Sequence, residues 1–287
     1  AIGGPEAATA NMAETSPGFL ALGGGLYSPA WMISTAVSIA FGVSMFPQVN
    51  QRFFIAQSRA VFKRTLVLWP VLVVLLFVPA FMLGAWASGL GIAAGEGGNT
   101  LPRLLSEYTP AWFAAVVVAG AIAAMMSSSD SMLLSGSSYF TRDIYRQTVN
   151  SVSERREALA GQAVVAIIAL ISFALSLSQP GTLVEIGNTA FSGFAQLALP
   201  VIVALYWRGT TGRGIVTGIA GSQLFYLASV FTGIVPSGYV LPLAPSLGEW
   251  SAGIVGMLLG LVLTVAVSVI TTAAPQEDAT VYDVSAD

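Results

Sequence analysis

Seven stretches of this chain are apolar for about 20 residues each, the length at which a helix rising 1.5 Å per residue crosses a bilayer core of roughly 30 Å. They fall near 29–46, 65–88, 111–135, 159–178, 184–206, 214–234 and 250–272. Inside hydrocarbon every backbone N–H and C=O must be satisfied within the protein, so such runs fold as helices. The reading is an all-α polytopic membrane protein with a transmembrane domain over 29–272. Composition agrees, since only 9% of the residues are charged against about 25% in soluble domains. The flanks differ. Residues 1–28 open with "AIGGPEAATANMAETSPGFLALGGG", a polar, Gly-rich sequence read as an extracellular loop. It has no charged region before an apolar core and is not a signal peptide, so the chain is expected to begin inside a longer protein. Residues 273–287 are acidic and read as a cytoplasmic tail.

Charge sets the orientation. Ten of the eleven basic residues follow the first, third and fifth spans: Arg52, Arg59, Lys63, Arg64, Arg142, Arg146, Arg155, Arg156, Arg208 and Arg213. Arg103 alone falls on the other side. The positive-inside rule makes the ten-residue side cytoplasmic. This multi-pass protein of the cell membrane therefore has its N-terminus outside and its C-terminus inside. The chain contains no cysteine and no histidine, which excludes disulfides, thiol catalysis, His-based catalysis and His- or Cys-ligated metals. The expectation is a non-enzyme. No basic patch suggests nucleic acid. Lys63, the only lysine, lies in a cytoplasmic loop, which excludes a retinal Schiff base on the last span.

Polar residues are costly within a span, yet "MMSSSDSMLLSGSSYFTRDIY", Met125–Tyr145, holds seven serines with Asp130 among them. At about 100° per residue, Ser127, Ser138, Ser131, Ser135 and Ser128 fall on one stripe roughly 100° wide, with Asp130 and Thr141 beside it. Two readings stand here. Small hydroxyl residues let helices approach and bond across their interface. Alternatively, neutral hard oxygens replace part of a sodium ion's hydration shell, weakly enough for the ion to leave. Asp130 favours the second, because an ionisable residue within a span is by default functional.

Three segments resemble the sodium/solute symporter family. "AAMMSSSDSMLLSGSSYFTRDIY" is similar to its eighth core helix, "FPQVNQRFFIAQS" (Phe46–Ser58) to the end of its sixth, and "FSGFAQLALPVIVALYWRGTTGRG" (Phe191–Gly214) to its tenth helix and following loop. The resemblance implies the leucine-transporter-like fold, two inverted five-helix repeats with broken helices at the midplane. The first five spans here would be the second repeat, the last two accessory helices, and the N-terminal helices of the same transporter a missing partner. It further implies sodium (Na+) as the coupling ion, with Ser127 and Ser128 as ligands. Ser131 and Asp130 would form a second cation or proton position.

In "WMISTAVSIAFGVSMFPQVNQR", Gly42, Ser44 and Pro47 interrupt the first span, and a break is expected near 42–47. In the family this region lies beside the solute, so Ser38, Phe41, Gly42 and Met45, spaced i, i+3, i+4, i+7, are the expected substrate wall. Gly42 and Val43 stand where sugar-transporting members carry tyrosine and tryptophan, which argues against a sugar. Pro70, Pro79 and Pro200 are expected to kink their spans, Glu185 to sit at an interface, and Leu101–Tyr108 to form a short outer-face helix. The function implied is sodium-coupled uptake of a small organic solute, such as an amino acid or small carboxylate. The alternative is a membrane sensor of the same fold that does not transport; a structural subunit would show no ion dependence at all.

Overall fold

A computed structural model describes residues 4–15, 17, 28–55, 57–90, 100–149, 153–178, 181, 183–240 and 245–271; the tail 273–287 lies outside them. The chain is helical in α1 (Pro5–Thr15), α2 (Pro29–Met45), α3 (Pro47–Phe54), α4 (Arg59–Gly89), α5 (Thr100–Tyr108), α6 (Ala111–Tyr139), α7 (Arg146–Thr148), α8 (Glu154–Leu177), α9 (Leu183–Tyr206), α10 (Gly212–Phe231) and α11 (Ala252–Ile270). Among the described residues six helices are long and apolar enough to cross a membrane, and a seventh crossing results if α2 and α3 form one broken span. This is an all-α, multi-pass membrane protein. It divides into two compact units, Ala1–Gly24 with Pro47–Ile186 and Gly25–Phe46 with Gly187–Asp287.

In the first unit, α4, α6 and α8 carry apolar side chains outward on nearly every side; none of their most apolar stretch is buried. A π-helical turn, Phe140–Tyr145, joins α6 to α7 without interrupting the helix, so one rod runs from Ala111 to Thr148. The N-terminal stretch read as loop carries α1. Its reason is local: Pro5 suits the first helical turn, Glu6 complements the helix dipole, and alanines fill the remainder. That helix lies along the end of α4, where the Gly89 Cα meets the Met12 backbone. Trp86 Nε1 donates to Thr9 Oγ1 at 3.2 Å. The short helix read at Leu101–Tyr108 appears as α5, packed against α4 and α6.

The second unit is more polar inside. Buried residues recur every fourth position of α2: Ala30, Ser34, Ser38 and Gly42. They bring the helix against α11 and the strand preceding it. That strand, β2 (Glu249–Ser251), pairs antiparallel with β1 (Gly238–Val240), Tyr239 opposite Trp250. Gly248, just ahead of β2, has φ +83°, a left-handed conformation suited to glycine. The sequence offered no strand here. Small residues also weld α10 to α11: Gly214, Gly218 and Ser222 face Gly260, Thr264 and Ser268. At the end of the pair the Thr211 N–H donates to Ser268 Oγ at 3.1 Å.

Proline acts differently at its several sites. Pro70, Pro79 and Pro200 sit inside unbroken helices, which membranes tolerate because neighbouring groups re-satisfy the freed carbonyls. Before Pro47 the helix stops. Phe46 takes extended backbone, φ −61° and ψ 130°, the conformation favoured for a residue ahead of proline. Tertiary contacts fix it there, since the Phe46 ring packs 4.4 Å from Phe194 and 5.3 Å from Phe191 between centroids.

Candidate functional site

The serine helix divides along its length into an open part and a packed part. Ser127, Ser128 and Asp130 are exposed and Ser131 is half-buried. Ser127 Oγ donates to Ala124 O at 2.9 Å and Ser131 Oγ to Ser127 O at 2.9 Å. A serine whose proton is turned back onto its own helix keeps its oxygen lone pairs free as acceptors. These hydroxyls therefore present only acceptor character outward, which a cation needs. Asp130 has no ion-pair partner among the described residues and adds one negative charge beside them. The lone carboxylate suits a monovalent ion; among the described residues no cluster of three or more His, Cys, Asp or Glu side chains exists.

Farther along, the hydroxyls are engaged in packing. Ser135 is buried, donating to Ser131 O at 2.7 Å and lying 3.2 Å from Gln51 Oε1 on α3. Two of the segments singled out in the sequence thus meet side chain to side chain. Sequence reasoning missed Gln51, because nothing local indicates that its amide faces a helix 84 residues later. Ser137, off the main stripe by helical angle, is also buried and donates to Gly161 O of α8 at 2.9 Å. There the bare Cα of Gly161 admits it: a Cβ would stand 3.0 Å from the Ser137 hydroxyl.

The four residues expected to line the solute wall do not share one environment. Ser38 is 1% exposed and Gly42 is buried, both on the seam of α2, whereas Phe41 and Met45 are half-buried beside it. A Cβ on Gly42 would collide with the Phe191 carbonyl of α9. Ser38 Oγ has no hydrogen-bond partner among the described residues and lies against the bare Cα of Gly253. The i, i+4 half of the spacing is thus helix packing. Phe41 carries a second local feature, its carbonyl accepting from Ser44 Oγ at 2.7 Å just before the break. Gln196, buried on α9, ties two helices: its Nε2 donates to Ser192 O at 2.8 Å and to Gly253 O at 2.9 Å.

The chain is also similar in sequence to known proteins. The family model for the sodium:solute symporter family matches residues 1–221. The uncharacterized symporter YhjB of Bacillus subtilis (strain 168) is 26% identical over 262 residues, covering 89% of this chain and 53% of its own length. The osmoregulated proline transporter OpuE of the same organism is 24% identical over 254 residues, 86% of this chain and 50% of its own. A sodium/pantothenate symporter of Haemophilus influenzae is 22% identical over 219 residues, 75% of this chain and 45% of its own. The chain spans about half the length of the curated relatives it matches. With its family model covering more than three quarters of the sequence, the chain belongs to the sodium:solute symporter family.

Proposed function

We propose that this chain is the C-terminal portion of a secondary transporter that couples sodium entry to uptake of a small organic solute bearing a carboxylate. One observation carries the reading: Ser127, Ser128 and Asp130 stand exposed on a membrane-crossing helix with the Ser127 proton turned back onto the helix. Polar groups on a lipid-exposed surface would cost several kcal/mol, so this face awaits protein and ion rather than lipid. Ser127 and Ser128 are the sodium ligands. Asp130 and Ser131 form the second cation or proton position. The inverted-repeat architecture supplies the remaining oxygens from a helix of the other repeat, and that repeat belongs to the N-terminal part of the transporter.

Phe41 and Met45 line the solute wall beside the break at Phe46, while Ser38 and Gly42 hold the helix in place behind them. Two relatives named for proline and for pantothenate support the solute class, since both molecules carry a carboxylate. Ion and solute together stabilise an outward-facing state, and alternating access delivers both inside. On this reading residues 1–287 reconstituted alone show no sodium-driven uptake, and co-expression of the N-terminal part restores it. Robust sodium-driven uptake by the isolated chain would overturn the proposal.

The orientation follows the ten-to-one distribution of basic residues. Because the chain lacks cysteine, cysteines introduced at Ser106, Ser153 and Ser246 report sidedness without background. An impermeant maleimide labels Ser106→Cys and Ser246→Cys on intact cells, and Ser153→Cys only after permeabilisation. Ready labelling of Ser153→Cys on intact cells would invert the topology.

A further inference from the structure

A groove of about 600 Å³ opens between the end of α6 and the start of α8. Leu134 and Val165 contribute apolar lining, Leu134 largely exposed, and Ser138, Gln162, Arg142 and Glu154 line it as well. The π-helical turn shapes it. The Arg146 N–H bonds Thr141 O, one residue beyond the α-helical spacing. Thr141 turns inward, with Oγ1 donating to Ser137 O at 3.0 Å, and Arg142 is left exposed.

Arg142 and Glu154 both stand exposed on the groove's lining. Glu157 is engaged by Arg146 at 3.5 Å. Arg142 and Glu154 have no ion-pair partner among the described residues. The groove thus offers one cation and one anion free of ion pairs among the described residues, beside apolar lining. A simple anion would meet Glu154 and a simple cation would meet Arg142. The complement is a zwitterion with an apolar tail. Depth agrees: at 1.5 Å per residue, Leu134 lies about 35 Å along the rod from Ala111 and Arg142 about 46 Å. With Ala111 at the outer limit of the opposite headgroups, a core of roughly 30 Å within about 40–45 Å of total bilayer puts Leu134 at the near edge of the acyl region and Arg142 at the outer limit of the near headgroups.

We propose that this groove seats a phospholipid whose headgroup carries both a phosphate and a primary ammonium, as phosphatidylethanolamine does. The phosphate takes the planar fork of Arg142. The ammonium, with three N–H donors, takes the Glu154 carboxylate. Ser138 Oγ already donates to Leu134 O at 2.8 Å, so its lone pairs accept a further ammonium hydrogen. An acyl chain lies along Leu134 and Val165. A trimethylated headgroup keeps the phosphate contact but has no N–H for Glu154, and phosphatidylglycerol has no cation for it.

The purified chain in detergent is offered phosphatidylethanolamine, phosphatidylcholine and phosphatidylglycerol of identical acyl chains, and retained lipid is read by native mass spectrometry. Phosphatidylethanolamine should be retained about fivefold over phosphatidylglycerol, the size of one charge contact at a membrane surface, and also over phosphatidylcholine, whose headgroup keeps the charge but has no N–H to donate. Glu154→Gln abolishes the preference over phosphatidylcholine, lowering phosphatidylethanolamine retention more than phosphatidylcholine retention. Arg142→Gln weakens both zwitterionic lipids alike. Ala158→Trp, which fills the groove without altering charge, expels all three, and Arg208→Gln, on a separate loop, changes nothing. Variants are compared only at unchanged helicity and elution volume. Equal retention of the three lipids, or a preference that survives Glu154→Gln and Ala158→Trp, overturns the proposal and leaves the groove as a surface for another helix.

Discussion

In the complete transporter, Ser127→Ala and Ser128→Ala each raise the sodium concentration for half-maximal uptake by about 10- to 150-fold. The range follows from losing one oxygen partner to a charged group, about 1.5–3 kcal/mol, at 1.4 kcal/mol per tenfold. Because binding coupling is reciprocal, both variants also lose apparent solute affinity at low sodium and recover much of it at high sodium. Ser137→Ala is the contrasting case. Its hydroxyl donates to Gly161 O rather than facing the open stripe, so its loss costs about 0.5–1.5 kcal/mol of stability. The sodium curve does not move. Uptake measured against sodium concentration, with thermal stability of each purified variant, separates the two behaviours. Three superimposable sodium curves would reduce the whole stripe to helix packing.

Gly218→Val destabilises the α10–α11 pair. A Cβ at this position would collide with Thr264 Oγ1 and stand 2.7 Å from the Gly260 carbonyl oxygen. Backbone cannot swing aside as a flexible side-chain tip can, so the helices must separate. Overpacking of this kind costs about 1–3 kcal/mol, and the branched side chain places the effect at the upper end or beyond. The observable is a lower midpoint of thermal unfolding and a loss of monodisperse protein. Gly187→Ala is the matched control, because nothing lies within 4 Å of its Cβ. It should be neutral or stabilising by a few tenths of a kcal/mol through helix propensity. A Gly218→Val variant with an unchanged melting midpoint would mean that α10 and α11 do not touch as described.

The features legible in the sequence are those that local physics decides. Long apolar runs become α4, α6, α8, α9, α10 and α11 because no other backbone arrangement survives in hydrocarbon. The interruption before Pro47 was readable because proline constrains its own neighbour. Helix α1 was obscured by averaging: glycines and polar residues around it hid an alanine-rich stretch with a proper start. The packed roles of Ser137, Gln51 and Gly42 were unreadable for a different reason. Each depends on a residue distant in sequence: Gly161, Ser135 and Phe191 respectively. Helical angle placed Ser137 off the stripe correctly, but that side of α6 faces α8. The hairpin of Gly238–Val240 and Glu249–Ser251 is likewise too short to register as alternation.

The contact of Gly42 with the Phe191 carbonyl bears on how mutational scans of this family member should be read. A cysteine-free chain invites replacement of each residue of α2 by cysteine, followed by scoring which positions lose activity or are shielded by solute. Position 42 would score as a hit in such a scan, since any β-carbon there meets the α9 backbone. The phenotype would report a failure of assembly. Phe41 and Met45, one step around the same turn and only half-buried, tolerate a small thiol. Protection of those two by solute is the informative signal, and inactivity at 42 says nothing about what the transporter carries.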